Sequence, residues 1–213
     1  MRDVWNDAVI AEIADLMVYQ SIRLPHQPSA KILAGVDYVM IAPRYAGLSP
    51  DVNGHIVVSL GGSDPHGLTP KVLEALKAWA GNVIVIKGPG MTDDYPGWQT
   101  VDAPESLLTY LDGAALLVGA LGMTAYEAAA AGVPSLLVAW SDDHEATALE
   151  FEAHGAAVSL GRWDKFDPKM VTDLTEQLLT QPALWHRFST NARALVDGCG
   201  VQRVADRLLE VLR

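Results

Sequence analysis

Residues 116–140 read LLVGALGMTAYEAAAAGVPSLLVAW, and few folds can accept that stretch. Leu116, Leu117 and Val118 form an apolar strand, Gly119 and Gly122 mark a turn, and Thr124 opens a short helix of small residues. Gly132 and Pro134 stop that helix before a second apolar strand at Leu136, Leu137 and Val138. Strand, helix and strand in this order make a parallel unit, because parallel neighbours need a crossover connection. Ligands of such sheets sit at the carboxyl ends of the strands, which here means the turn over 119–124. Glu127, placed in the first turn of the helix, then lies near the ligand crevice.

The same rhythm runs from residue 55 to residue 162. HIVVSL, NVIVIKG, WQTVD and AAVSL read as strands, and PKVLEALKAWA, PESLLTYL and SDDHEATALEFEAHG as helices. Alternation of this kind predicts an α/β fold, a Rossmann-like parallel sheet with helices on both faces. Three more helical stretches, over 167–181, 182–198 and 201–213, complete the chain. The start is different. Trp5, Val9, Ile13 and Leu16 fall at helical spacing, and LMVYQSI and YVMIAP look like strands separated by Pro25 and Pro28. That is too thin for residues 1–45 to make a domain of their own, and the domain is expected over 46–213.

Charge narrows the partners. The formal net charge is −11, without a block of Lys or Arg, which argues against nucleic acid and against an anionic lipid surface. Cys199 is the single cysteine, so no intramolecular disulfide and no thiol zinc site can form. Neither a signal pattern nor a run of eighteen apolar residues occurs, and a cytoplasmic protein without a membrane span is expected.

Three stretches carry candidate chemistry. In Gly61-Gly62-Ser63-Asp64, two glycines after a strand let the backbone come close to an anion, and the following helix offers N–H groups and a positive dipole end. The pair serves equally well as a purely conformational turn, and Asp64 suits a local cap better than an anion site. In Gly122-Met123-Thr124-Ala125-Tyr126-Glu127, the spacing of Thr124 and Glu127 is that of a capping box, whereas a carboxylate at the crevice mouth can also hold a ribose diol. In Asp142-Asp143-His144-Glu145 the two aspartates suit a helix start, and His144 can reach a sugar. The other five histidines lack metal-ligand spacing and read as surface or packing residues, as do Trp79, Trp98 and Trp185.

SLGGSDPHGLTPKVLEAL resembles the glycine-rich turn and helix of the UDP-sugar hydrolase of pseudaminic acid synthesis. GMTAYEAAAAGVPSLLVAWSDDHEATALEFEAHGAAVSLG is similar to its nucleotide-binding half and to that of the peptidoglycan N-acetylglucosaminyltransferase, and ILAGVDYVMIAPRY resembles the segment joining the hydrolase's two domains. The resemblance implies the carboxyl-terminal domain of a GT-B fold. It further implies that Gly61, Gly62 and Ser63 approach a diphosphate, and that Gly122, Met123, Thr124 and Glu127 face phosphate and ribose. His144 and Asp143 would stand on the sugar side, and Arg44 beside the diphosphate. Leu121 departs from the glycine common in relatives, and Asp143-His144-Glu145 from an Asn-Gln-Glu run.

Relatives also carry an amino-terminal domain whose Gly-x-Gly-His turn holds the catalytic histidine, and that motif does not occur here. Residues 1–45 would correspond to the end of such a domain and its linker. The function expected is therefore the UDP-sugar-binding half of a glycosyltransferase or UDP-sugar hydrolase, stabilising a diphosphate leaving group without a metal or other cofactor. Expected partners are UDP or a UDP-sugar and a separate amino-terminal half. The alternative is a non-catalytic binding, regulatory or homo-oligomerising module.

Overall fold

The structure, a computed structural model, describes residues 14–23 and 32–212. The helical spacing of Trp5, Val9 and Ile13 lies outside these residues. β1 (Met17–Tyr19) and β2 (Ile32–Ala34) pair in parallel as a small sheet of their own. The strand expected at YVMIAP is absent: Val36–Tyr38 and Pro43–Gly47 are short 3-10 helices, and the second strand lies earlier, at β2. Gly35, at φ 108°, turns the chain directly after β2. Pro43, which lacks a backbone N–H, starts the second 3-10 helix.

The main sheet contains β3 (His55–Ser59), β4 (Val83–Lys87), β5 (Gln99–Asp102), β6 (Ala114–Ala120), β7 (Ser135–Ala139) and β8 (Ala157–Arg162). All its pairings are parallel, in the spatial order β5-β4-β3-β6-β7-β8. The chain thus builds outward from β3 in one direction, returns, and builds outward again from β6. Strand order reverses between β3 and β6, where Ser59 pairs with Gly119.

Between the strands lie α1 (Thr69–Ala75), α2 (Leu108–Leu111), α3 (Met123–Ala131) and α4 (Asp142–Ala153); α5 (Pro168–Thr180), α6 (Pro182–Leu195) and α7 (Gly200–Val211) follow. Side chains alternate across a strand, and the two cores follow that period. Val57, Leu117 and Leu137 face one core with the alanines of α3 and with Phe151 of α4, whereas Ile56, Val58, Leu116, Val118, Leu136 and Val138 face the other with α1 and α5. Both faces are covered, as the strand sequences predict.

Two predicted helices are shorter than their patterns. The run PKVLEALKAWA is helical only to Ala75 and continues as 3-10 helix over Lys77–Asn82; PESLLTYL forms one turn, α2. Gly132 ends α3 in the left-handed conformation at φ 74°, as expected from its position before Pro134. Trp185 on α6 donates its indole N–H to Ala115 O at 2.6 Å, and Arg193 donates to the carbonyls of Ala46 and Leu48. These bonds seat α6 against the sheet and against the second 3-10 helix.

Candidate functional site

The two glycine turns leave the carboxyl ends of β3 and β6, the neighbours at which strand order reverses. A crevice forms there because the connections on either side depart in opposite directions. Gly61, Gly62 and Ser63 are exposed, and Gly61 holds φ 86°, which a side chain would strain. Gly62 has open space where a side chain would stand. Its carbonyl accepts from Gly90 N at 2.7 Å, and Gly88 packs so closely that a Cβ would overlap the backbone of Gly61 and Gly62. The loop after β4 therefore braces the first turn from behind.

α1 does not offer its start to an anion. Asp64 is buried and accepts from Leu68 N at 2.9 Å and Thr69 N at 2.8 Å. Its carboxylate closes the loop between β3 and α1, so the dipole end expected beside Gly61-Gly62 is already occupied. The cap reading of Asp64 holds. At φ 40° it adopts the left-handed conformation that aspartate tolerates better than most residues.

The second turn keeps its helix start open. Gly122 is the N-cap of α3, with no side-chain cap hydrogen bond. Thr124 is thus the second helical residue rather than the opening one, and Glu127 lies beyond the first turn. The capping box is not formed. Among the described residues no backbone carbonyl takes the N–H groups of Met123 and Thr124. Gly122 and Met123 are exposed, and Thr124 and Glu127 half-buried.

Glu127 meets a residue that the sequence did not bring forward. Tyr45, buried on the 3-10 helix Pro43–Gly47, stands against its carboxyl; the Tyr45 hydroxyl lies 3.4 Å from Ser106 Oγ and accepts from Leu107 N at 3.3 Å. Burial pushes the Glu127 pKa up, and the neighbouring Tyr45 hydroxyl offsets part of that rise. Burial likewise pushes the Tyr45 hydroxyl up. Arg44, next to Tyr45, is exposed and makes no hydrogen bond or ion pair among the described residues.

After β7, Ser141 caps α4 by accepting from His144 N at 3.2 Å, so the cap is neither aspartate. Asp142 pairs with Arg162 and Asp143 with Arg23. Asp143 is therefore bound to the chain's own cation where the sequence suggested a sugar contact. His144 is half-buried, and its Nδ1 is shielded from solvent without a hydrogen-bond partner among the described residues. At the end of β4, Lys87 is buried and matched by Asp102 at 2.9 Å and Asp94 at 3.8 Å. Among the described residues no group of three or more His, Cys, Asp and Glu side chains is placed to hold a metal ion.

No family model matches the chain. It is 27% identical over 220 residues to the spore coat polysaccharide biosynthesis protein SpsG of Bacillus subtilis (strain 168), with 94% of this chain and 63% of that protein covered. It thus spans under two thirds of the curated relative's length. Among solved structures it is similar to MurG of Acinetobacter baumannii, with TM-score 0.65, 18% identity, and 95% of this chain and 62% of that chain covered. It is also similar to Anabaena Alr3699/HepE in complex with UDP-glucose (TM-score 0.63, 11% identity, 95% and 65% covered) and to the spinosyn rhamnosyltransferase SpnG complexed with thymidine diphosphate (0.64, 19%, 92% and 56%). The fold is that of the GT-B glycosyltransferases. Among the described residues, no helix is long and apolar enough to cross a membrane.

Proposed function

We propose that the chain binds a nucleotide sugar, with UDP as the favoured nucleotide, for a glycosyltransferase or UDP-sugar hydrolase reaction. The observation that carries this reading is the meeting of two exposed glycine turns at the strand-order reversal, one of them opening a helix whose first N–H groups have no backbone partner among the described residues. Gly61, Gly62 and Ser63 line one side of the diphosphate, and Gly122, Met123 and Thr124 the other. Glu127 accepts from the ribose diol, His144 faces the sugar, and Arg44 lies within the reach of a flexible side chain from the phosphates. Residues 46–213 form the binding unit, and residues 1–45 belong to the segment that joins it to a second GT-B half.

The reaction class is attack by water or an acceptor hydroxyl on the anomeric carbon, with the nucleoside diphosphate leaving. Negative charge grows on the leaving oxygen, and prearranged N–H dipoles at the start of α3 stabilise it without reorganising. The names of the similar proteins favour this substrate class, since one was solved with UDP-glucose and another with thymidine diphosphate. Calorimetry with UDP, thymidine diphosphate and UDP-glucose tests the reading. Binding of UDP that is lost in Gly62→Val supports it; equal affinity in both proteins removes the turn from the site.

A second reading, an interaction module, draws on α7. Leu208, Leu209 and Leu212 at its end are 43%, 57% and 80% exposed, an apolar stripe suited to a second GT-B half or to another copy. Sedimentation at several concentrations separates a monomer from a self-associating chain.

A further inference from the structure

We infer that His66, Trp163 and Trp140 form an aromatic platform for the sugar of the nucleotide sugar, a subsite that rests on the reading above and adds its sugar-binding surface. His66 belongs to the loop that continues from Gly61-Gly62, Trp140 directly follows β7, and Trp163 directly follows β8. All three leave the carboxyl edge of the sheet. The His66 imidazole lies on the Trp163 indole with centroids 3.5 Å apart and planes 2° from parallel; it meets Trp140 at 5.5 Å and 48°. The Trp140 Nε1 is 3.9 Å from where a side chain on Gly61 would begin. The platform therefore adjoins the diphosphate turn.

Its position favours sugar over nucleobase. Trp140 and Trp163 pack on the α1 and α5 side of the sheet, whereas Glu127, assigned to the ribose, stands on α3 at the opposite core. With the diphosphate between them, the group on the far side from the ribose is the sugar. A pyranose offers a C–H face to aromatic rings and a rim of hydroxyls to polar edges. Neither the Trp140 indole N–H nor the ring nitrogens of His66 have a hydrogen-bond partner among the described residues. Trp163 is held in place before any ligand arrives. Arg162 bonds Asp164 at 2.9 and 2.7 Å across it and also pairs with Asp142. Such preorganisation lowers the ordering cost of binding.

Calorimetry on the full chain, with UDP and UDP-glucose as probes, reads the ratio of the two affinities. The wild type binds UDP-glucose more tightly than UDP, and His66→Ala lowers that ratio about three- to tenfold, the value of one stacking contact. His66→Phe, which keeps a flat ring, retains most of the ratio. A ratio unchanged in both His66→Ala and Trp163→Ala overturns the platform, as does a wild type that binds UDP as tightly as UDP-glucose. Equal weakening of both ligands assigns the rings to the base and also overturns it. A wild type that binds neither nucleotide sinks the nucleotide-sugar reading and the platform with it.

Discussion

The hydroxyl of Tyr45, on the 3-10 helix ahead of the main sheet, stands beside the carboxyl of Glu127 on α3. A residue ahead of the main sheet thereby offsets part of the rise that burial imposes on the Glu127 carboxyl. Because α3 is capped by Gly122 without a side chain, this contact and not a capping box holds Glu127. Glu127→Gln should lower UDP affinity by about tenfold, the value of a charge-assisted hydrogen bond, while the melting temperature stays nearly constant. Glu127→Ala is also informative here, since no cap is lost with it. Calorimetry and thermal unfolding on both variants provide the check.

The raised Glu127 pKa has a defined sign in stability. Below the ordinary glutamate range the carboxyl is protonated in both folded and unfolded chains and contributes no dependence. As pH rises from that range through the raised folded value, the unfolded chain releases its proton first, and stability falls. Glu127→Gln should flatten this segment of the pH-stability profile. Tyr45→Phe removes the hydroxyl that lowers the pKa and should extend the falling segment to higher pH. Denaturant midpoints measured in steps of pH test both.

Asp197 behaves oppositely. The hydrogen bond from Arg203 holds its carboxyl below the usual range, and Arg203 also donates to Asp37 O at 3.1 Å, which ties α7 to the segment after β2. This contribution is complete above the unfolded carboxylate pKa and is lost as pH falls through the folded value. Asp197→Asn should reduce stability at neutral pH and converge with the wild type in acid, a comparison that urea titration can make.

Gly62 and Gly88 should separate binding from folding. A side chain on Gly88 overlaps the backbone of Gly61 and Gly62, so Gly88→Ala should destabilise the chain by about 1–3 kcal/mol as an overpacking change. Gly62→Ala meets open space and should leave stability almost unchanged while weakening UDP. Equal loss of stability in the two variants would contradict the bracing of the turn by the loop after β4.

Removing the Asp64 carboxylate should unfasten α1. Asp64→Ala leaves the N–H groups of Leu68 and Thr69 without their acceptor and should cost about 0.5–2 kcal/mol, as for other helix-start caps. Thermal unfolding of Asp64→Ala beside Asp64→Asn measures it.

The sheet was legible because its strands are short apolar runs with two buried faces, as in Val57 against Ile56 and Val58. The turns were legible because Gly61 and Gly132 need left-handed backbone. What sequence could not supply is pairing at a distance. The Thr124 and Glu127 spacing fits a capping box and a crevice carboxylate alike, and only the helix starting at Met123 removes the capping box. Tyr45 contacts Glu127 from eighty-two positions away, and Arg23 reaches Asp143 across a separation of 120. YVMIAP misled because alternation of apolar residues resembles a strand even where Pro43 starts a 3-10 helix and no neighbouring strand is available to pair.

The reversal of strand order also has a kinetic meaning. Ser59 and Gly119 are sixty positions apart, so closing the central pair of the sheet costs the loop entropy of the whole β4 and β5 excursion. The two glycine turns face one another only in the chain that has completed this closure. A nucleotide spanning them, as proposed above, would hold this closed pair together, and its stabilisation should appear as slower unfolding with little change in the rate of folding.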